Sequence, residues 1–445
     1  MAVLTLSERL GQAPLKADVR AYGRLTRAFG LLMEGTGMAC SLGDMVEVLD
    51  HAGRPRVRAE VVGFRDGRAL MMPLGDSLGI GPGDWLKPVG QSPGVLAGEF
   101  LLGRVLDAMG DAIDGRPLGA DPAARRMPLH GVTLNPMARR RIQAPMPTGV
   151  RAIDGLLSLG EGQRVGIFAG GGVGKSKLMG MIAGQSAADV NVIALIGERG
   201  REVREFVERE LGSGGMARSV VVAVTADKAP LLRQRGAYVA TAIAEYFRDR
   251  GLKVMLMMDS VTRFAMARRE VGLSVGEPAA TKGYTPSVFA AIPALVERAG
   301  MGAQGQGSIT GIYTVLVEGD DLGDPVADTL RASLDGHFVL SRGLAAAGHF
   351  PALDVGASVS RVMVDVVAPE HVSAAQRLCA MLAVYEEARD LLTIGAYKPG
   401  NRPDLDQAVK LRKEVEAFLT QGVHDRAGWG ETVNHLQQLA RKAAA

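Results

Sequence analysis

The sequence predicts an α/β protein: a parallel sheet, preceded by a small all-β domain and followed by a helical domain. Three observations carry that prediction. The apolar segment Val165-Gly-Ile-Phe-Ala169 runs straight into Gly170-Gly-Gly-Val-Gly-Lys175-Ser176 and then into the helix-forming segment Lys177–Ala188, a strand, turn and helix in the order a phosphate-gripping loop requires. Further strand-length apolar runs, Val192–Ile196 and Val254–Met258, alternate with helical segments across residues 96–367, the signature of a parallel sheet. Short alternating segments fill 31–95, whereas 368–445 carry apolar residues at helical spacing.

Taken in chain order, residues 1–30 read as a partly amphipathic helical arm, with Leu4, Leu6, Leu10, Tyr22, Leu25 and Phe29 interrupted by Pro14. Next come Met45-Val-Glu-Val-Leu49 and Val57-Arg-Ala-Glu-Val-Val-Gly-Phe64, with a turn at Asp66-Gly67, which together predict a small β-barrel or sandwich. The stretch between Arg125-Arg126 and Arg139-Arg140-Arg141 is punctuated by Pro128, Pro145 and Pro147 and reads as an ordered linker with a solvated basic run. No stacking aromatics interleave with those arginines, so nucleic-acid contact is not expected there.

A chain of 445 residues is long enough for two or three domains with cores of their own. The net charge of +3 is too small to signal nucleic-acid binding. Its apolar runs are far short of a membrane span, and Ser7, Glu8 and Arg9 interrupt the N-terminus where a signal peptide would be apolar. Cys40 and Cys379 suggest neither a disulfide framework nor a metal site. A soluble protein of a reducing cytoplasm is expected.

The loop motif departs from the usual pattern only at Ala169, which stands where the first glycine is customary. Gly170, Gly171, Gly172 and Gly174, with Val173 among them, let backbone N–H groups turn toward phosphate oxygens. Lys175 supplies a mobile cation for the β/γ-phosphates. Ser176 offers a hydroxyl to Mg²⁺, and Lys177 follows in the first helical turn, whose positive end faces the same anion. Asp259, closing the apolar strand Lys253–Met258, is the candidate to order that metal. Glu198 ends the strand Val192–Gly197 at the edge of the sheet where ligands collect. That position makes it the candidate general base over the alternative of an ion-pair network, for which Arg199, Arg201, Glu202, Arg204 and Glu205 around it offer partners.

Five longer motifs occur in order: Gly197–Phe206, Met258–Ala265, Gly276–Phe289, Val317–Asp321 and Leu334–Arg342. With them the chain resembles the type III export ATPases, in their flagellar branch, which are similar to the catalytic β subunits of rotary ATP synthases. The likeness runs from about Gly35 to the C-terminus. It implies a β-barrel, a RecA-like P-loop NTPase core and a helical domain, assembled as a ring of six that hydrolyses Mg-ATP for protein export. It also implies partners: a stator-like regulatory protein on the N-terminal arm, a coiled-coil stalk in the pore near the acidic loop Glu318–Asp324, an export gate, and chaperone–cargo complexes. By the same resemblance Arg361 is an arginine finger serving a neighbouring subunit, Arg199 joins the catalytic set beside Glu198, and Phe350 stacks on adenine where the family usually has Tyr.

Other readings are a virulence secretion ATPase, a hexameric RNA translocase, a non-catalytic ring subunit and an ATP synthase β subunit. The translocase should carry aromatics on its small β-domain, where only Phe64 and Trp85 occur. A non-catalytic subunit should lack the base or the loop lysine, and both are present.

Overall fold

The computed structural model describes residues 21–90, 94–131, 133–317 and 323–443. They divide into two compact units, Met1–Pro93 and Gly94–Ala445.

The first unit is a closed six-stranded barrel. Its strands are Gly23–Phe29, Leu32–Thr36, Met45–Leu49, Pro55–Arg65, Arg68–Pro73 and Trp85–Gly90, arranged around the barrel as first, second, fifth, fourth, third and sixth. Leu25, Met33, Val46, Val48, Val61, Met71 and Leu86 fill the interior. Asp66 and Gly67 both take positive φ and form the two-residue hairpin that their sequence predicts. One expectation is corrected here. The helical reading of 1–30 fails over Gly23–Phe29, which is a barrel strand. Its register slips between Leu25 and Arg27, and that bulge hides the two-residue alternation that would have marked a strand. Residues 1–20 lie outside the described residues.

The second unit is built on a nine-stranded sheet. Its order is Leu353–Ser360, Gly336–Leu340, Arg164–Ala169, Ser308–Leu316, Lys253–Asp259, Val190–Glu198, Ser219–Thr225 and Arg104–Leu106. The short strand Gly300–Met301 pairs antiparallel with Ser308–Leu316 off this path. Along the path all neighbours are parallel except Leu353–Ser360, which runs against Gly336–Leu340. The central strands are continuous apolar runs because helices cover both faces. On one face lies Pro230–Asp249, rich in Ala and burying Ala237, Ala240, Ala244 and Phe247. On the other lies Lys175–Gln185 with Leu178, Met179 and Ile182.

The C-terminal helices Pro369–Glu387, Pro403–Leu419 and Trp429–Lys442 belong to the same compact unit as the sheet. They are tied to it by Phe418, which packs onto Gly155, and by Arg151, which donates to the carbonyls of Phe418 and Thr420. His371 Nε2 also meets the Gly155 carbonyl at 2.8 Å. The basic linker differs from a solvated hinge as well. Arg139 donates to the carbonyls of Ala299 (2.7 Å) and Glu297, and Arg140 to those of Gln306 (2.6 Å) and Gly307 (3.0 Å), so these guanidiniums clamp the segment to the sheet margin. Among the described residues no helix is long and apolar enough to cross a membrane.

Candidate active site

Parallel strands end on the same edge, and here that edge collects the chemistry. Arg164–Ala169 delivers the loop, Val190–Glu198 delivers Glu198, and Lys253–Asp259 delivers Asp259. The loop turns through Gly172 (φ 80°) and Gly174 (φ 94°), conformations that a side chain resists. Gly171 is a different case. It is exposed, it does not take positive φ, and no atom lies within 4 Å of where its Cβ would stand. Neither backbone nor packing requires glycine at Gly171, so its expected role in admitting phosphate rests on the ligand side alone. Gly174 then caps the helix that begins at Lys175. Val173 is buried and anchors the loop, whereas Ser176 and Lys177 are exposed in the first turn.

Lys175 Nζ binds Asp259 Oδ1 directly and lies 3.9 Å from Glu198 Oε1. The loop lysine thus bridges the two carboxylates that sequence reasoning singled out. Asp259 is buried, and Thr314 Oγ1 donates to its Oδ1 at 2.7 Å, which fixes the carboxylate from the neighbouring strand. Glu198 is a different kind of acid. Burial, and then the negative charge of Asp259, push its carboxyl up to about 7 against the opposing pull of Lys175, and Glu202 beside it adds to the rise. A carboxylate poised near neutrality at a strand end can accept a proton from water at the pH of a cell.

Other expected site residues are placed as follows. Phe350 is 43% exposed, and two ring carbons lie 3.5 Å from where a Cβ on Gly174 would sit; a large aromatic is left in solvent beside the phosphate loop. Arg199 caps the helix Gly200–Glu205, and its exposed guanidinium sits 3.5 Å from Glu202, one residue along from Glu198. Arg361 is not brought to the loop. Its backbone N–H binds the carbonyl of Asp335, and Asp335 in turn holds Arg164, the opposite end of the loop strand. Of the acidic loop, 318–322 lie outside the described residues. Asp324 is the N-cap of the helix Pro325–Ser333, accepting from Val326 N at 2.9 Å, so its carboxylate is engaged in holding a helix.

Sequence reasoning missed two neighbours. Thr314 is one, signalled only as a hydroxyl inside an otherwise apolar strand. Arg263 is the other: it packs against Gly197, and its buried Nε has no hydrogen-bond partner.

The fold and this cluster define a P-loop ATPase. Comparison with known proteins adds the particular family. Residues 149–360 match the model for the nucleotide-binding domain of the ATP synthase alpha/beta family, and 367–438 match the C-terminal domain of the type III secretion ATPase EscN. The flagellum-specific ATP synthase of Salmonella typhimurium is 51% identical over 433 residues, 95% of this chain and 94% of that one. The type 3 secretion system ATPase of Xanthomonas euvesicatoria is 48% identical, with 95% of each chain covered. Among solved structures, the assembled ATPase EscN in complex with its central stalk EscO, from enteropathogenic E. coli, superposes with a TM-score of 0.86. It is 41% identical, covering 94% of this chain and 100% of that one. The chain belongs to the family of flagellar and type III secretion ATPases.

Proposed function

We propose that this chain hydrolyses Mg-ATP to energise flagellar type III protein export, working as a homo-hexamer at the cytoplasmic face of the inner-membrane export apparatus. The observation that carries the reading is the meeting of Lys175, Asp259 and Glu198 on one sheet edge beside a glycine loop. Gly170, Gly171, Gly172 and Gly174, with Lys175, hold the phosphates. Glu198 orients and deprotonates the attacking water, while Lys175 and a neighbour's Arg361 offset the charge that develops on the transferred phosphoryl group. Arg199, next to Glu198, is assigned to the same face, and Phe350 stacks on the base.

The donors at hand suit Mg²⁺. A buried carboxylate (Asp259) and a hydroxyl (Ser176) are hard oxygen ligands, too few for an all-protein cage and right for an ion that arrives with phosphates and water. When bound, such an ion supplies charge neutralisation for the β- and γ-oxygens.

Assembly, the stalk at the acidic loop, the regulatory partner at the N-terminal arm, and the export gate with its chaperone–cargo complexes are assigned from the family. Support comes from the solved relative that is assembled around a central stalk. A virulence secretion role is the second reading, because a relative from that branch is 48% identical.

The deciding experiment is Glu198→Gln. It should bind ATP normally and turn it over ~10²–10⁴ times more slowly, the usual loss on removing a positioned base. Near-normal turnover would remove Glu198 from the mechanism. Restoration of motility in a bacterium lacking its flagellar ATPase separates the two branches.

A further inference from the structure

The motif Leu334–Arg342 ends in a residue to which nothing above gives a role. Arg342 follows the strand Gly336–Leu340 and opens the short helix Arg342–Ala346, whose cap is Ser341. That strand is the immediate neighbour of Arg164–Ala169, pairing Leu340 with Ala169. The pairing puts Arg342 beside the first glycine of the phosphate loop. A Cβ on Gly170 would stand 2.6 Å from Arg342 Nε, 2.7 Å from Nη2 and 3.1 Å from Cζ, so the Nε/Nη2 edge of the guanidinium faces the glycine itself. Gly170 has no positive φ. Its lack of a side chain is what lets Arg342 approach.

A cavity of about 190 Å³ opens alongside. Its walls include Ala169, Gly170, Val317, Leu340, Arg342 and Asp354. The strand order places Arg342 on one flank of the loop strand, while Lys175 points to acids on strands of the other flank. Arg342 therefore approaches the loop from the flank opposite those acids. Asp354, in the same wall, is occupied in part by accepting from Ala357 N at 3.0 Å.

We propose that Arg342 is a positioning residue for the nucleotide, holding the first turn of the phosphate loop through Gly170 and contributing positive charge from the side opposite Lys175. This rests on the reading that the loop binds ATP. The guanidinium sits at the end of a flexible side chain, so a methyl group at position 170 displaces it rather than breaking the fold. Gly170→Ala and Arg342→Ala should then remove the same interaction.

The test is equilibrium binding of ATP, with kcat and KM, on the full chain carrying Arg342→Ala, Arg342→Lys, Gly170→Ala and the double variant, alongside thermal melting. The expected result is ATP binding weakened about tenfold in Arg342→Ala, a typical loss for a charge-assisted contact. KM should rise more than kcat falls, with the melting temperature unchanged. Arg342→Lys, which keeps the charge, should recover part of the affinity. Gly170→Ala should cost about as much as Arg342→Ala, and the double variant no more than either, the non-additivity of two residues sharing one contact. Binding in Arg342→Ala within twofold of wild type overturns the proposal, and so does full additivity in the double variant. If the wild-type chain itself fails to bind ATP, it is the ATPase reading that falls.

Discussion

Arg361 donates its backbone N–H to the carbonyl of Asp335 at 3.0 Å, and the carboxylate of Asp335 holds Arg164 at 3.0 Å. Arg361 is thereby pinned to the amino end of the strand whose carboxyl end carries Lys175. That strand has six residues, and at about 3.3 Å each its two ends lie roughly 17 Å apart. The backbone of Arg361 is thus held away from its own phosphate loop, the placement that the proposed service to a neighbour calls for.

Mixing should therefore rescue activity. Arg361→Ala chains with an intact loop, combined with Lys175→Ala chains, should recover part of the hydrolysis that each lacks alone, and wild-type specific activity should rise with protein concentration. An arginine given in trans is worth ~10³–10⁵ in rate. No rescue, with activity independent of concentration, would sink the shared site.

The elevated Glu198 carboxyl gives a signature in pH. A base works ionised, and burial with Asp259 nearby holds Glu198 protonated up to about 7. Below that value kcat/KM, which reports the free enzyme, should fall about tenfold per pH unit. The residual activity of Glu198→Gln should lack this acid limb. A limb that persists unchanged in the Gln variant would assign it to another group.

Asp324 and the proposed stalk contact at Asp320 and Asp321 call for separate tests. Asp324 caps a helix, so Asp324→Ala should lower stability by about 1 kcal/mol, read by denaturant melting. Asp320→Asn with Asp321→Asn should instead weaken stimulation by a basic stalk protein, most at low salt, where rim charges act over the longest range. Stimulation that is unaltered at every ionic strength would exclude the loop as the contact.

Deleting residues 1–20 should abolish co-purification with a stator-like regulatory protein and leave ATP hydrolysis largely intact. Leu4, Leu6 and Leu10 give that segment apolar surface to bury on a partner. Unchanged partner binding after the deletion would place the contact elsewhere.

Where the sequence is legible, local pattern and buried environment agree. The runs Val165–Ala169, Val192–Ile196 and Val254–Met258 are strands because both of their faces are covered, and an uninterrupted apolar stretch says so. Lys175 and the glycines are visible as a motif because phosphate binding needs consecutive residues. The rest is hidden by distance along the chain. Arg342 reaches Gly170 across more than 170 positions, and Thr314 reaches Asp259 across 55; no spacing rule links either pair. Arg139 and Arg140 look like solvated charge because their carbonyl partners lie 158 to 167 residues away. Gly23–Phe29 was misleading locally, its bulge shifting the pattern. Asp324 could have been recognised, since an Asp before Pro325 is a helix-start signal.

The strand Arg164–Ala169 also acts as a ruler. In the proposed mechanism one end meets phosphate and the other fixes Arg361, so the strand's residue count sets how far a subunit's own loop stands from the cation it would offer next door. Adding two residues would keep every side chain on its proper face while moving the ends about 7 Å further apart. The loop would move away from Glu198 and Asp259 within its own chain as well as from the Arg361 end, which, in the proposed ring, makes catalytic competence a tolerance between copies as much as a property of one.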